Sequence, residues 1–171
     1  RKYHQEEGKR IDSASKEAKK QIGANDLEQF VTMQHIVQHK NDDLTIENLL
    51  HIHQLVTKNT LDDTNEEGRL RENDEVFIVN HANSEVVHTP PTHTELHALM
   101  HDLCIFFNSD SKEFIHPIVK ACTLHFMVAW IHPFTDGNGR TARAVFYWYM
   151  LKKGYWLTEF LSISRTNFSM L

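Results

Sequence analysis

Apolar residues recur at intervals of three and four along most of the chain, which predicts a mainly helical fold. Strong helix formers fill residues 13–22 behind a serine cap, and a second helix is expected from residue 25 or 26 to about 39. Thr45 can cap a third helix. The second helix is expected to bury Leu27, Phe30, Val31, Ile36 and Val37, and the third Ile46, Leu49, Leu50, Ile52 and Val56.

The spacing of apolar residues changes in the middle of the chain. A polar stretch, residues 59–74, predicts a loop. Two short runs of β-branched and aromatic residues follow, residues 76–79 and 86–87, and the residues between them, 80–84, are typical of a turn. Together they predict a small β-hairpin, which needs helices to pack against because a lone hairpin is marginal in water.

Helical spacing returns at residues 92–108. Pro117 suits the first position of a helix that runs to about Ile131, and this helix is apolar on most sides, so we expect it in the core. Pro133 must end that helix. A last helix is expected from Asn138 to Lys153, with Gly154 as its stop. The predicted fold class is therefore all-α with one small hairpin.

Composition adds few constraints. The chain has 171 residues, 40% hydrophobic and 24% charged, which suits one soluble domain. A net charge of -5 disfavours a nonspecific nucleic-acid binder. The sequence contains no stretch of 18 apolar residues, so no membrane span is predicted. No apolar signal region opens the chain, so we expect a cytoplasmic protein. The chain lacks an initial Met and is expected to be a piece of a longer protein.

Buried positions can be predicted for the cysteines and tryptophans. Cys104 and Cys122 have apolar neighbours in helical segments; the pair could form a disulfide, but two reduced, buried thiols are the favoured interpretation. Trp130, Trp148 and Trp156 are expected in the core. His97 and His101 lie four apart on a predicted helix and could bind zinc, but surface histidines are the better interpretation because no third ligand is evident. His51 and His53 do not share a helix face and support no prediction.

The chemistry is concentrated between the last two helices. Residues 132–143 read His-Pro-Phe-Thr-Asp-Gly-Asn-Gly-Arg-Thr-Ala-Arg. The glycines allow backbone N–H groups to approach a ligand, and the N–H groups that open a helix favour an anion such as a pyrophosphate. Arg140 and Arg143 share a face of the first turns and can fork onto phosphate oxygens. Asp136 can hold Mg²⁺ together with substrate phosphates, and neutral His132 can accept a proton.

This segment resembles the signature of the Fic (filamentation induced by cAMP) family, His-Pro-Phe-x-Asp/Glu-Gly-Asn-Gly-Arg-x-x-Arg. All nine fixed positions match, which is expected by chance on the order of 10⁻¹⁰ times in a chain of this length. Doc proteins, which are related, have Lys in place of the second Gly. The resemblance covers roughly residues 45–165 and implies a Fic-type helical bundle with a hairpin flap near the active site, in a Fic domain of residues 41–171.

The resemblance implies a protein adenylyltransferase, which moves AMP from ATP to a Ser, Thr or Tyr hydroxyl of a target protein and releases pyrophosphate. His132 would be the base and Asp136 the Mg²⁺ ligand. Arg140 would meet the β-phosphate and Arg143 the γ-phosphate. The remaining phosphate cradle would be Gly137, Asn138 and Gly139. Phe134 would anchor the loop in the core, and Thr135 has no assigned role.

Other segments extend the resemblance. Gly68 to Arg71 is similar to the family's Gly-x-x-Arg, and residues 88–91 are similar to the segment after its flap. An extended target segment would pair with the flap strand of Val76, Phe77, Ile78 and Val79. Residues 154–165, Gly-Tyr-Trp-Leu through Ile-Ser-Arg, resemble a subgroup in which a winged-helix region often follows, and nucleic acid would be contacted only through such a region.

Regulation is also suggested by the resemblance. Many family members carry an inhibitory helix with Ser/Thr-x-x-x-Glu-Gly/Asn, and Glu7-Gly8 matches its end while Tyr3 replaces the Ser/Thr. Residues 1–40 are therefore expected to be a helical region that can inhibit, with Glu7 as the inhibitory residue. Regulated members are often homodimers. Removal of AMP, transfer of UMP or GMP, and a noncatalytic nucleotide-binding or toxin–antitoxin module stay open as alternatives.

Overall fold

The structure is a computed structural model, and it describes residues 28–80, 82–110 and 114–155. The predicted helix at residues 13–22, Glu7, Leu27 and Trp156 lie outside the described residues. Within the described part, no helix combines the length and the apolar character needed to cross a membrane.

Five helices and one hairpin form the described part of the chain, so the predicted all-α class with a small hairpin is confirmed. Short 3₁₀ turns occupy Thr64–Glu66 and His93–Glu95. The elements are α1 (28–38), α2 (Ile46–Thr57), β1 (Ile78–Val79), β2 (Val86–His88), α3 (Leu96–Asn108), α4 (Pro117–Ile131) and α5 (Asn138–Lys152).

The core forms around α5, which packs most extensively against α4 and also against α2, while α3 covers α4. Trp148 at its centre is 1% exposed and meets Phe107 of α3 edge to face, with ring centroids 5.8 Å apart. This arrangement buries apolar side chains from all five helices in one cluster. It brings the C-terminal end of α4 and the N-terminal end of α5 together, and the loop between them carries the residues of the His-Pro-Phe segment.

Helix ends follow local chemistry at the predicted positions. The Thr45 hydroxyl accepts a hydrogen bond from the Asn48 N–H at 3.1 Å, as expected of an N-cap. Pro117 opens α4, and the ring of His116 caps it by accepting from the Ile118 N–H. Gly154 follows α5 with φ of +87°, a conformation that favours glycine.

The expectation that α4 lies in the core is confirmed for only one side of the helix. Its buried residues are confined to one side, whereas Phe126 is 64% and Trp130 43% exposed. Cys122 lies on the same outer side and is exposed, so only Cys104 is buried as predicted, and both thiols are free. Hydropathy alone could not reveal this because both sides of the helix are apolar; α3 and α5 cover only one of them.

The expected stripe on α1 is also partly wrong. Phe30 is 59% and Val31 40% exposed, whereas Glu28, Thr32 and Ile36, spaced four apart, are buried. Residues four apart share a helix face, so a single face of α1 faces the protein, and that face includes two polar residues. Thr32 satisfies its hydroxyl by donating to the Glu28 carbonyl at 2.7 Å.

The hairpin is shorter than predicted. Ile78 pairs with His88 and Val79 with Val86, with an irregularity between the two pairs, and Val76 and Phe77 precede the strand instead of forming it. We call residues 76–79 and 86–88 the flap. Its apolar side chains remain largely exposed: Phe77 is 52% and Val87 59% accessible.

Candidate active site

Residues 132–137, here called the signature loop, connect α4 to α5. His132 caps α4 with φ 50° and ψ 58°, in the left-handed region, and its N–H still donates to the Val128 carbonyl at 3.0 Å. Pro133 then prevents further helix. The left-handed turn therefore ends the helix at His132 and places its side chain at the start of the loop.

The tautomer of His132 follows from one contact. Its Nδ1 lies 3.2 Å from the Ala129 carbonyl, which can only accept, so Nδ1 carries the proton and donates. Nε2 then keeps its lone pair and has no hydrogen-bond partner among the described residues. Burial is the main cause that lowers the pKa of His132 below its ordinary value, so the ring is neutral at pH 7. His132 has the form that a proton acceptor requires.

The interior of the loop is fixed by Phe134 and Asn138. Phe134 is fully buried, as expected of a core anchor. The Asn138 side chain accepts from the Phe134 N–H at 2.9 Å and donates to the Phe134 carbonyl at 2.7 Å. Asn138 is only 3% exposed, so its side chain stabilises the loop and leaves its main-chain N–H as the group that could face a phosphate.

The two glycines of the signature serve different needs. Gly137 has φ +78°, and a Cβ there would lie 2.4 Å from Cγ2 of Thr57, so both conformation and space demand glycine. At Gly139 a Cβ would meet only the Arg143 side chain, at 3.8 Å. Gly137 thus allows tight packing of the loop on α2, while Gly139 leaves the start of α5 open to a ligand.

Asp136 and Arg140 form an ion pair, with Arg140 Nη2 3.2 Å from Asp136 Oδ2. The Asp136 side chain is 69% exposed. Nη1 of Arg140 donates to the Val56 carbonyl at 3.0 Å and to the Thr60 hydroxyl. The guanidinium is therefore anchored on the end of α2. Asp136 carries the negative charge that suits its predicted ligand Mg²⁺, and Arg140 carries the positive charge that suits its predicted ligand, a phosphate.

Arg143 is held differently. Its Nε is buried and has no hydrogen-bond partner in the described part of the chain. A buried donor without an acceptor costs free energy, which an anion at this helix start would recover. Glu28 of α1, a residue that sequence reasoning missed, is also buried near Arg140 with an unpartnered Oε2; burial raises its pKa and Arg140 opposes that rise.

Arg71 anchors the entrance of the loop. Its Nε donates to the His132 carbonyl at 3.0 Å, and its main-chain N–H donates to the Pro133 carbonyl at 2.9 Å. Its remaining donors reach the carbonyls of Asn73 and Pro91 and the carboxylate of Asp74. The family's Gly-x-x-Arg pattern marked this residue, but only the structure gives it a role.

Two contacts were missed by the sequence analysis. His53 of α2 is fully buried, and its Nε2 forms a hydrogen bond with the Asp136 carbonyl. The hydroxyl of Thr135, which had no assigned role, donates to Glu66 Oε2 at 2.7 Å. Nothing in the spacing of His53 or Glu66 signals these contacts, because both residues lie more than 65 positions before the loop.

The flap is attached close to His132. The ring of His88 in β2 bonds the Trp130 carbonyl at 2.8 Å, and Trp130 lies two positions before His132. By contrast, His97 and His101 are exposed on α3, and no group of three metal-ligating side chains occurs within the described residues. A cation at Asp136 would therefore need ligands from a substrate, as Mg²⁺ bound with nucleotide phosphates has.

A helical bundle whose hairpin lies beside a His-Pro loop and an open helix start defines a class of protein. The chain belongs to the Fic/DOC family, whose model matches residues 43–150. The structure is similar to a Fic domain containing signaling protein from Bacteroides thetaiotaomicron, with a TM-score of 0.62 at 23% identity over 78% of this chain and 48% of that one. This likeness concerns the fold.

Named relatives are similar in sequence. Protein adenylyltransferase Fic from Nematostella vectensis is 33% identical over 68% of this chain and 25% of its own length. Protein adenylyltransferase fic-1 from Caenorhabditis elegans is 30% identical over 70% of this chain and 22% of its own length. A solved structure of Fic-1 from C. elegans matches with a TM-score of 0.59, 27% identity, and coverage of 76% and 37%. The chain thus spans about a quarter of the length of these curated relatives.

Proposed function

We propose that the protein is an adenylyltransferase that moves AMP from ATP to a Ser, Thr or Tyr hydroxyl of a target protein. One observation carries the proposal: a neutral His132 with an available Nε2 and an Arg143 with an unpartnered buried donor lie on the two sides of a single helix-to-helix turn. The relatives named protein adenylyltransferase support the same reaction.

His132 is the proton acceptor in this proposal. Its Nε2 takes the proton of the target hydroxyl while the oxygen forms a bond to the α-phosphorus of ATP. The bond from that phosphorus to the bridging oxygen breaks, and pyrophosphate leaves. The Nδ1–H bond to Ala129 keeps the ring oriented and stabilises the charge it gains.

The start of α5 binds the phosphates. The Thr141 N–H donates to the Gly137 carbonyl and makes the first hydrogen bond within the helix. The N–H groups before it in the first turn of α5 can therefore donate to phosphate oxygens. Arg143 supplies a further donor to the γ-phosphate, and Arg140 supplies one to the β-phosphate from its anchor on α2.

Mg²⁺ fits at Asp136, whose exposed carboxylate is the acidic group of the loop. Asp136 and Arg140 form an ion pair with each other at 3.2 Å. Asp136 would hold Mg²⁺ and Arg140 would bind a phosphate oxygen, so the two side chains could separate without leaving either charge uncompensated. The cation would neutralise charge on the phosphates during transfer.

The target protein binds along the flap. Phe77 and Val79 are exposed, and β1 has only one strand partner among the described residues, so an extended target segment can add to its free edge. The His88 contact with Trp130 ties the flap to the turn that precedes His132. An added strand would bring its hydroxyl toward the base.

Regulation and context complete the proposal. Glu7, which lies outside the described residues, inhibits by pairing with Arg143 in place of the γ-phosphate, as its Glu-Gly pattern suggests. The protein acts in the cytoplasm, forms a homodimer and belongs to the subgroup marked by residues 154–165. These points rest on the sequence resemblance.

Label transfer from α-labelled ATP tests the function. Parent, Glu7→Gly, His132→Ala and the exposed control His97→Ala are incubated with Mg²⁺ and a protein mixture. We expect label with the parent and His97→Ala, more with Glu7→Gly, and none with His132→Ala. Label that survives His132→Ala, or no label from any form although ATP binds, would overturn AMP transfer by this site and direct attention to AMP removal or another nucleotide.

A further inference from the structure

His53 makes contacts on three sides of its ring. The Gly68 N–H donates to Nδ1 at 2.9 Å, and Nε2 lies 3.0 Å from the Asp136 carbonyl. Because an N–H can only donate, Nδ1 must be the acceptor, and the ring proton therefore sits on Nε2 and is donated to Asp136. Both partners are main-chain groups, so the tautomer is fixed by the fold itself.

The face of the same ring lies on Phe134. The two ring centroids are 3.7 Å apart and the planes differ by 8°. Phe134 is in turn held by Asn138 at both its N–H and its carbonyl. His53 thus contacts the signature loop at two points, one through its face and one through Nε2.

The Nε2 bond has a consequence for the carboxylate of Asp136. In a trans peptide the carbonyl and the following N–H point in opposite directions. When His53 holds the Asp136 carbonyl, it also sets the direction of the Gly137 N–H, and this N–H donates to Asp136 Oδ1 at 2.5 Å. A continuous path therefore runs from His53 through one peptide unit to the carboxylate.

We propose that His53 is a positioning residue that orients the Asp136–Gly137 peptide, and through it the Asp136 carboxylate, for use of Mg·ATP. The inference rests on the proposed function. A histidine that only filled the core would need its ring but no particular hydrogen bond. The two interpretations differ in which half of the imidazole matters.

Two amide variants separate the halves. His53→Gln places a side-chain NH₂ near the former Nε2, so it can still donate to Asp136 but no longer accepts from Gly68. His53→Asn places an oxygen near the former Nδ1, so it can accept from Gly68 but is too short to reach Asp136. Both lose the stacked ring, so their packing losses are similar. His51→Gln is the matched control, since His51 is exposed on the same helix.

The measurement is the initial rate of labelling against Mg·ATP concentration, at a fixed amount of acceptor protein and at a temperature where melting curves show each variant folded. We expect the rate at low Mg·ATP to be at least about tenfold lower for His53→Asn than for His53→Gln, as a change in the surroundings of a metal ligand gives. The apparent KM should carry most of this loss. Equal rates for the two variants, or a lower rate for His53→Gln, would overturn the proposal.

Calorimetric titration of Mg·ATP keeps the test independent of the transfer reaction. If the parent binds Mg·ATP but labels nothing, the transfer function fails, and weaker binding by His53→Asn than by His53→Gln still supports the role of His53. Equal binding by both variants overturns that role. Should neither variant fold, the same titration on His53→Tyr, which keeps a ring but loses both bonds, should show weakened binding, and parental affinity would overturn the proposal.

Discussion

The signature loop and the flap meet where His88 contacts Trp130, yet they are held by different kinds of contact. In the loop, polar bonds from Arg71, His53 and Asn138 fix main-chain atoms of four of its residues. The flap has two residue pairs between short strands and exposed apolar side chains. The loop is therefore held in one conformation by several hydrogen bonds, whereas few contacts fix the conformation of the flap.

This difference matches the two tasks proposed for these regions. Transfer between a base and a phosphate needs groups fixed to within a fraction of an ångström, and buried polar bonds provide that. Pairing with an extended target segment needs an open strand edge, and a strand that is fully satisfied could not accept one.

The largest effect is expected at His132. Replacement by Asn removes the base and should reduce label transfer by about 10²–10⁴-fold. Asn tolerates the left-handed conformation at φ 50° better than Ala does, so His132→Asn should be more stable than His132→Ala by about 1 kcal/mol. Labelling rates and urea unfolding check both points. Equal stability of the two variants would argue against a constraint from the backbone at this position.

The two signature glycines should respond with opposite signs. Gly137→Ala places a Cβ 2.4 Å from Thr57 at φ +78°, and should lower the free energy of unfolding by about 2–4 kcal/mol. In Gly139→Ala the new Cβ lies in open space within α5. This substitution should raise the free energy of unfolding by less than about 1 kcal/mol, because Ala favours helix. Urea unfolding of both variants measures this. Similar losses for the two would contradict the packing described here.

The pH dependence of transfer should reflect the lowered pKa of His132. Burial disfavours the charged ring, so the pKa of His132 lies below its ordinary value of 6.5. The acid limb of kcat/KM should therefore have its midpoint below pH 6.5. Below that midpoint the rate should fall about tenfold per pH unit. Circular dichroism at each pH separates this from unfolding. A midpoint above 6.5 would contradict the effect of burial.

The smallest effect on stability is expected in the flap. Phe77 is 52% exposed, so Phe77→Ser should change the free energy of unfolding by less than about 0.5 kcal/mol. Labelling of acceptor proteins should nevertheless fall, while Mg·ATP affinity stays at the parental value. Phe126→Ser, at a residue that is 64% exposed on α4, is the control and should leave both unchanged. A loss of Mg·ATP affinity in Phe77→Ser would show that the flap is coupled to the loop.

Sequence reasoning predicted the helices and the signature segment because their signals are local. Thr45, Pro117 and Gly154 end or begin helices through bonds within a few residues. It failed for burial on α4, where most sides are apolar and only tertiary packing selects one. It also failed for His53, since a buried polar residue gives no periodic signal. The roles assigned to His132, Asp136, Arg140 and Arg143 remain predictions.

Apart from the local bonds between Asn138 and Phe134, the hydrogen bonds that fix the signature loop join residues 61 to 83 positions apart along the chain. Closing such long loops costs entropy before any contact forms, so these contacts are expected late in folding. A peptide of residues 132–143 alone could not adopt the site, and a growing chain would hold no competent base until α2 had packed on α5. Transfer activity would then report on completed folding as well as on chemistry.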